Sequence, residues 1–400
     1  MYRVHGTRKV NKRIVLDLIR FTPGGISRAE IARQMLLTRA AVSSIIDDLK
    51  NRGIVDEIET DLTTSGRRPI LLAIKPDFGY VVGIDMGATH LGFMVTDFSA
   101  HVLEEIEHPF SVTDGPETCL AKIDQYLVEL LSHLNLKIQQ INAIGMGVPG
   151  PVVVETGEVS MPPIMPGWHA FPIREHLEKF WQVPVSIGND AEFGALGEWA
   201  YGAGRRETNL AYIKVGTGVG AGLLIDGQIY RGTTGCAGEI GHITIQENGP
   251  LCTCGNRGCL EAMAGGQAIA RNARQAIKMG KRTQLSRLKP EKILAVHVAE
   301  AAHHGDHVAQ EIITEAGGHL GIAIASLVNL FNPGMVIIGG GVSQLGDLLL
   351  DPIRKTVAKR SLNSAAKAVR ITSAVLGRRA SSMGAVVQAT NLSLDRFLDV

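Results

Sequence analysis

Three times along this chain an apolar run of strand character ends abruptly in a glycine-rich turn. Tyr80-Val-Val-Gly-Ile-Asp85-Met-Gly-Ala-Thr-His90 is the first, and Ala211-Tyr-Ile-Lys-Val-Gly216-Thr-Gly-Val-Gly-Ala-Gly222 is the second. The third is Met335-Val-Ile-Ile, followed by Gly339-Gly340-Gly341. A bend without Cβ atoms can wrap its backbone amides around a phosphate, and an aspartate in the bend can face a metal-bound nucleotide. Taken singly, each turn is equally a tight hairpin or a close packing contact. Three of them, each behind a strand, predict an α/β protein with a nucleotide cleft between two lobes. Asp85, Gly87, Thr89, Gly216, Thr217, Gly218 and Gly340 are the residues that would line it.

At 400 residues the chain can bury large cores and suggests two to four domains. It has five cysteines, and a cluster of three leaves Cys119 and Cys236 as free thiols suited to a reducing compartment. The N-terminal MYRVHGTRKVNKR leads into no apolar segment, and no unbroken apolar run reaches the roughly eighteen residues of a membrane span. The expectation is a cytoplasmic protein with no membrane contact.

The cysteine cluster carries the sharpest local chemistry. Glu239-Ile-Gly-His242 is followed by Cys252-Thr-Cys254-Gly-Asn-Arg-Gly-Cys259-Leu-Glu261. His242, Cys252, Cys254 and Cys259 form a Cys3His set that suits tetrahedral Zn²⁺, and four protein ligands leave no open position, so the metal would be structural. Gly255 and Gly258 let the loop fold back, which would fix Glu239 and Glu261 beside the ion. The plainer alternative is three buried small hydrophobes, against which the density of the spacing argues. His303, His304 and His307 lack a completing carboxylate or thiolate and read as a helix-loop-helix surface.

Net charge is +1 overall, but residues 1–75 carry 14 Lys and Arg against 8 Asp and Glu, while the remainder is acidic. A basic N-terminal module that meets a polyanion is implied. Val10, Ile14, Leu18 and Phe21, with Val15 widening the stripe, predict a first helix, and Ser27-Arg-Ala-Glu30 a capping box opening a second. Thr38 would cap a third helix with Ala41, Val42, Ile45, Ile46 and Leu49 inward, and Thr38, Arg39, Ser43 and Ser44 would be presented to DNA. Two β-rich runs, 54–58 and 70–74, then frame a wing whose Arg67 and Arg68 could enter a minor groove. Together these predict a winged helix-turn-helix that binds operator DNA, ahead of a three-helix module for protein contacts.

Between the first two glycine turns, Val185-Ser-Ile-Gly-Asn189-Asp190 reads as a strand opening into a helix. Asp190 at that junction is equally a general base toward a sugar hydroxyl and a residue favoured at a helix N-cap.

The Asp85-Met-Gly-Ala-Thr turn, Gly145-Met-Gly-Val-Pro-Gly-Pro151, Gly167-Trp168, Asn189-Asp190, Gly216-Thr-Gly-Val-Gly-Ala-Gly222, Glu239-Ile-Gly-His242 and the cysteine loop occur in this order. In that order they resemble the ROK family of repressors, open reading frames and sugar kinases. With a winged helix-turn-helix in front, the chain is similar to the branch of xylose and N-acetylglucosamine repressors. The resemblance implies an actin-like ATPase (sugar kinase) fold of two lobes with a sugar in the cleft. The implied division is 1–75 for the DNA-binding domain, 76–190 for the first lobe and 191–400 for the second with the zinc loop and an oligomerisation surface. It further implies sugar contacts from Asn189, Asp190, Glu239, His242 and Glu261, with Asp190 as the base of the kinases, and assembly as a homodimer or homotetramer. The kinases' first turn reads Asp-x-Gly-Gly-Thr, whereas Ala88 here adds a Cβ where backbone approaches phosphate. Three functions stay open: a sugar-responsive regulator, foremost a repressor of carbohydrate-utilisation genes; a sugar kinase using Mg²⁺ and ATP; and, behind these, a sugar sensor acting through a protein partner.

Overall fold

The computed structural model describes residues 8–59, 70–160 and 164–399. The N-terminal module is built from α1 (Arg8–Phe21), α2 (Arg28–Met35) and α3 (Arg39–Asn51), followed by the antiparallel pair β1 (Val55–Glu59) and β2 (Ile70–Ile74). Ser27 caps α2 by accepting from the Glu30 amide at 3.2 Å, but the Glu30 carboxylate turns to Arg33 and Gln34, so only half of the expected capping box forms. Leu36 turns the chain in the left-handed region with φ 55°, and Thr38 Oγ1 then accepts from Ala41 N at 3.2 Å to open α3. Val42, Ile45, Ile46 and Leu49 of α3 are buried as anticipated, whereas Ala41 is exposed. In α1 the buried residues are Val15, Leu16 and Ile19, and Val10 is 42% exposed. The stripe is rotated because α1 serves two surfaces, packing on its own module and also against the body of the protein.

The first lobe contains β3 (Tyr80–Met86), β4 (His90–Asp97), β5 (Val102–Pro109), α4 (Pro116–His133), β6 (Ile141–Val148), a ribbon of β7 (Val152–Val153) and β8 (Glu158–Val159), α5 (Ile173–Trp181) and β9 (Val185–Asn189). Its sheet has the order β5-β4-β3-β6-β9, antiparallel through the β5-β4-β3 meander and parallel from β3 to β6 to β9. The near-continuous apolar reading of β3 and β6 follows from burial on both faces. α6 (Asp190–Tyr201) then leaves β9.

The second lobe repeats that plan. It runs β10 (Leu210–Val215), β11 (Val219–Ile225), β12 (Gln228–Ile229), α7 (Leu260–Ala264), α8 (Gly266–Lys278), α9 (Ala295–His303), α10 (His307–Phe331), β13 (Met335–Gly339), α11 (Asp347–Arg360), α12 (Asn363–Ala368), β14 (Arg370–Ser373) and α13 (Ala380–Asp399). The sheet order β12-β11-β10-β13-β14 again joins an antiparallel hairpin to parallel strands. α10 is long and apolar enough to cross a membrane by composition, but Leu320, Ala323, Ile324 and Val328 are buried in the second-lobe core. His303, His304 and His307 fall at the α9–α10 junction, as expected of a helix-loop-helix.

Two helices tie the lobes together. α6 packs on β10 and β11 of the second sheet, while α13 returns to β3 and β6 of the first. Each lies against the other at very short range: a Cβ on Gly384 would stand 1.7 Å from the Phe193 carbonyl oxygen, so no larger residue fits at that crossing.

Candidate functional site

The three glycine turns converge on one lysine. Lys214 lies in β10 opposite Gly220 of β11 and opposite Gly339 of β13. The Val215 carbonyl oxygen is 2.3 Å from where a Cβ on Gly340 would sit, so the second and third turns touch. The first turn joins through Asp85. Lys214 Nζ is 2.9 Å from Asp190 Oδ2, 3.1 Å from Ser381 Oγ and 3.5 Å from Asp85 Oδ1. A lysine ammonium has three N–H donors, and each one here has an oxygen. The other oxygen of Asp85, Oδ2, lies 3.1 Å from His90 Nε2.

Asp85 is only 2% exposed. Burial alone would push its carboxyl up, but the Lys214 ammonium and His90 outweigh it and hold the group below the usual aspartate range. Burial would likewise push the Lys214 ammonium down; Asp190 and Asp85 outweigh it and keep the charge firmly in place. Asp85 therefore meets the Lys214 ammonium and the His90 ring and not the open space expected of a nucleotide turn. The β3–β4 turn closes as a hairpin, Gly87 N donating to His90 O at 3.0 Å, with Thr89 exposed. The Ala88 methyl packs against the first-lobe core, so the altered residue is not what fills the space beside Asp85. In the second turn Gly216 O accepts from Gly266 N at 2.9 Å and Thr217 O from Gln267 N at 3.4 Å, which seats the turn on the start of α8.

The residues expected to meet a sugar surround this centre on a second wall. Asn189 caps α6, its Oδ1 accepting from Ala191 N at 2.8 Å and Glu192 N at 3.2 Å, while Nδ2 donates to Gly150 O at 3.0 Å. Both readings of the junction are thus divided between neighbours: Asn189 does the capping, and Asp190 turns its carboxylate inward to Lys214. Glu261 Oε2 accepts from Val219 N at 3.1 Å and Oε1 from Thr253 Oγ1 at 3.2 Å, placing that carboxylate against the second glycine turn. Glu239 Oε2 is 3.8 Å from His242 Nε2. Burial, together with the like charges of Asp190 and Glu261, raises the Glu239 carboxyl although His242 opposes it. Arg231 Nε reaches the buried Glu192 Oε2 at 3.1 Å in the same neighbourhood.

His242 joins this wall to the cysteine loop. The ligand atoms of His242, Cys252, Cys254 and Cys259 all lie within 4.8 Å of one another, a group that could hold a metal ion. Cys252 Sγ is 3.6 Å from His242 Nδ1, and Cys254 Sγ is 3.7 Å from Cys259 Sγ. The histidine thus offers Nδ1 to the thiols and Nε2 to Glu239. The donor chemistry suits zinc. Gly258 has φ 66°, and a Cβ there would meet the Gln246 carbonyl oxygen at 1.6 Å, so the loop can close only around glycine.

In the N-terminal module α2, the turn at Leu36 and α3 form the expected helix-turn-helix. Arg39 and Ser44 are exposed on α3, Ser43 is half-buried, and Thr38 is exposed while capping the helix. Arg67 and Arg68 lie outside the described residues. The module is clamped to α13: Arg20, 3% exposed in its side chain, donates to Asn391 Oδ1 at 2.7 Å, Arg13 pairs with Asp395 at 2.6 Å, and Arg52 donates to Phe397 O at 2.8 Å. Phe21 also packs edge-on against Trp199 of α6, with ring centroids 5.0 Å apart. At the other end of α13, Ser381 Oγ donates to the Asp190 carbonyl at 2.8 Å.

Lys214, Ser381, His90 and Arg231 did not emerge from sequence reasoning. One signal was present: a lysine inside the otherwise apolar strand Leu210-Ala-Tyr-Ile-Lys-Val215. Such a charge must find partners or leave the strand.

Comparison with known proteins agrees with this architecture. The family model described as ROK family matches residues 81–391, and that described as MarR family matches residues 9–63. The xylose repressor of Caldicellulosiruptor bescii is 33% identical over 380 residues, covering 95% of each chain. A crystal structure of a ROK family transcriptional regulator, homolog of the E. coli MLC protein, superposes with a TM-score of 0.82 at 27% identity, covering 98% of this chain and 99% of that one. A ROK family glucokinase from Streptomyces griseus, in complex with glucose and AMPPNP, superposes with a TM-score of 0.71 at 31% identity over 78% of this chain and all 100% of its own. The shared motifs, the duplicated sheets and the N-terminal helix-turn-helix establish that the chain belongs to the ROK family.

Proposed function

We propose that this protein is a sugar-responsive transcriptional repressor of carbohydrate-utilisation genes. It binds operator DNA through α3, with Arg39, Ser43 and Ser44 toward the major groove and the wing residues Arg67 and Arg68 toward the minor groove. Asp190, Glu239, His242 and Glu261 accept or donate to sugar hydroxyls, and Asn189 contributes the amide hydrogen left over from its contact with Gly150. The metal at His242, Cys252, Cys254 and Cys259 is structural zinc, which fixes His242 with its Nε2 toward the pocket. The active species is a homodimer or homotetramer in the cytoplasm, so that two α3 helices meet the two halves of a palindromic site.

The observation that carries this reading is the course of α13. Its first turn touches Asp190 through Ser381, and its last turns hold α1 and α3 through Asn391, Asp395 and Phe397. Sugar bound between Asp190 and the Glu239–Glu261 wall draws the lobes together, and α13 passes that displacement to the DNA module. For this to release DNA, sugar must favour the arrangement with the lower operator affinity, since equal binding to both would shift nothing.

The test begins with DNA selected from a random pool by the full-length protein. Gel shifts with that DNA are then run against xylose, glucose, mannose, N-acetylglucosamine and allose. The expected result is that one sugar weakens DNA binding at least tenfold. Sugar binding without any change in DNA affinity would overturn the mechanism.

A further inference from the structure

We propose that the Lys214 ammonium is the resident cation of this cleft, holding Asp85 and Asp190 where a metal-bound nucleotide would need them, so that the pocket retains a sugar without phosphorylating it. Only the last clause rests on the sugar reading. The cation assignment stands on the geometry alone.

Three features of the site bear on this. The ammonium is saturated: its three donors meet Asp190 Oδ2, Ser381 Oγ and Asp85 Oδ1, contributed by four separate elements counting β10 itself. Asp85, the carboxylate of the first glycine turn, has one oxygen toward Lys214 and the other toward His90, so both of its oxygens are engaged by protein groups. Asp190 has one oxygen paired with the ammonium; Oδ1 has no protein partner among the described residues and remains able to accept from a hydroxyl.

These features do not fit Mg²⁺ and ATP. Mg²⁺ requires near-octahedral oxygen coordination at about 2.0–2.1 Å and keeps several of its waters. Between these carboxylates it would have to enter beside an ammonium in a largely buried site, where like charges repel strongly. Asp190 is therefore a hydrogen-bond acceptor for a sugar, and Lys214 is the residue that decides the pocket's ligand class. Ser381 adds a consequence for regulation: the same ammonium touches the start of α13, so the charge balance at Asp190 and the position of that helix are joined.

The zinc-loaded, full-length protein is titrated with Mg²⁺–AMPPNP by calorimetry and with Mn²⁺ by thermal shift, and ADP release is followed with each of the five sugars. The wild type is expected to show no saturable heat up to millimolar nucleotide, no Mn²⁺-dependent rise in Tm and no turnover. Lys214→Gln leaves two carboxylates without their cation; it should melt lower than wild type and regain Tm as Mn²⁺ is added, whereas Lys214→Arg should remain indifferent to Mn²⁺. Saturable Mg²⁺–AMPPNP binding or sugar-dependent ADP release by the wild type would overturn the proposal, as would a folded Lys214→Gln that ignores Mn²⁺. The wild-type measurements decide even where Lys214→Gln fails to fold. If no sugar alters DNA binding while the cation results hold, it is the sugar reading that has failed and not this one.

Discussion

Lys214 Nζ stands 2.9 Å from Asp190 Oδ2, although Asp190 opens α6 and Lys214 lies near the end of β10. The pair closes the seam between the two lobes. It makes a carboxylate whose place in the sequence suits both a base and a helix cap into one half of a part-buried ion pair.

Removing that carboxylate should therefore cost stability as well as response. Asp190→Asn takes the nearest negative charge from a part-buried ammonium that keeps Asp85 and Ser381, and weakening a hydrogen bond to a charged group of this kind costs about 1.5–3 kcal/mol. Chemical denaturation should show a lower midpoint with an unchanged slope, and gel shifts should show sugar-independent DNA binding. A variant that keeps both stability and response would remove Asp190 from the pocket.

Asp85 makes the acid side of the stability profile specific. Its folded carboxyl is held below the ordinary value by Lys214 and His90 against the opposing effect of burial. A depressed carboxyl contributes stability that is fully present above the unfolded value of about 3.9 and is lost as pH falls through the lower folded value. Urea midpoints measured from pH 6 down to about pH 2 should fall less steeply in Asp85→Asn than in wild type. Parallel curves would mean that the carboxylate is not specially stabilised.

The cysteine loop predicts a metal content. Elemental analysis should find one zinc per chain, and X-ray absorption should show three sulfurs and one nitrogen around it. Cys254→Ser should lower zinc occupancy and abolish the sugar response, with DNA affinity in the absence of sugar preserved. A normal response in zinc-free protein would detach the loop from sensing.

The helix-turn-helix predicts how DNA affinity is divided. Arg39→Ala should weaken binding to the selected site by about 1–3 kcal/mol if the guanidinium reads a base. If it contacts phosphate only, binding should weaken on all sequences and the salt slope should fall by about one. Thr38→Ala removes the α3 cap and should cost about 1 kcal/mol of stability. Equal affinity and slope in Arg39→Ala would take that residue out of the interface.

Arg20 and Asn391 predict where coupling can be cut. Asn391→Ala removes the α13 partner of an almost wholly buried guanidinium that keeps Asp17 and Phe21 of its own helix. Sugar titrations of the sugar-bound and sugar-free protein on DNA should show a reduced ratio of affinities, while sugar binding measured by calorimetry stays unchanged. An undiminished ratio would mean that α13 does not transmit the signal.

Much of this was legible because it is local. Ser27 and Thr38 cap the helices they precede, since the hydroxyl and the amide it serves are three residues apart. The Cys252–Cys259 spacing closes a loop of its own, and His242 is joined to it over a short stretch of chain. The strand-then-glycine pattern likewise reports a bend made by neighbouring residues. In α1 the expected Val15 is buried and Ile14 and Leu18 pack beside it, but Leu16 and Ile19 are buried too because the body, remote in sequence, packs on the same helix.

What the amino-acid sequence by itself determined about this protein is thus its parts: a basic helix-turn-helix, two lobes of alternating strands and helices, a four-ligand metal loop and a set of polar residues at glycine turns. What only the tertiary structure decided is what those turns enclose. Residues 85, 190, 214 and 381 come from four distant stretches, and a lysine in an apolar strand has no local rule to name its partners. Burial is the physical reason they meet. A charge removed from water must be matched by the oxygens the fold brings to it, and here those are Asp85, Asp190 and Ser381.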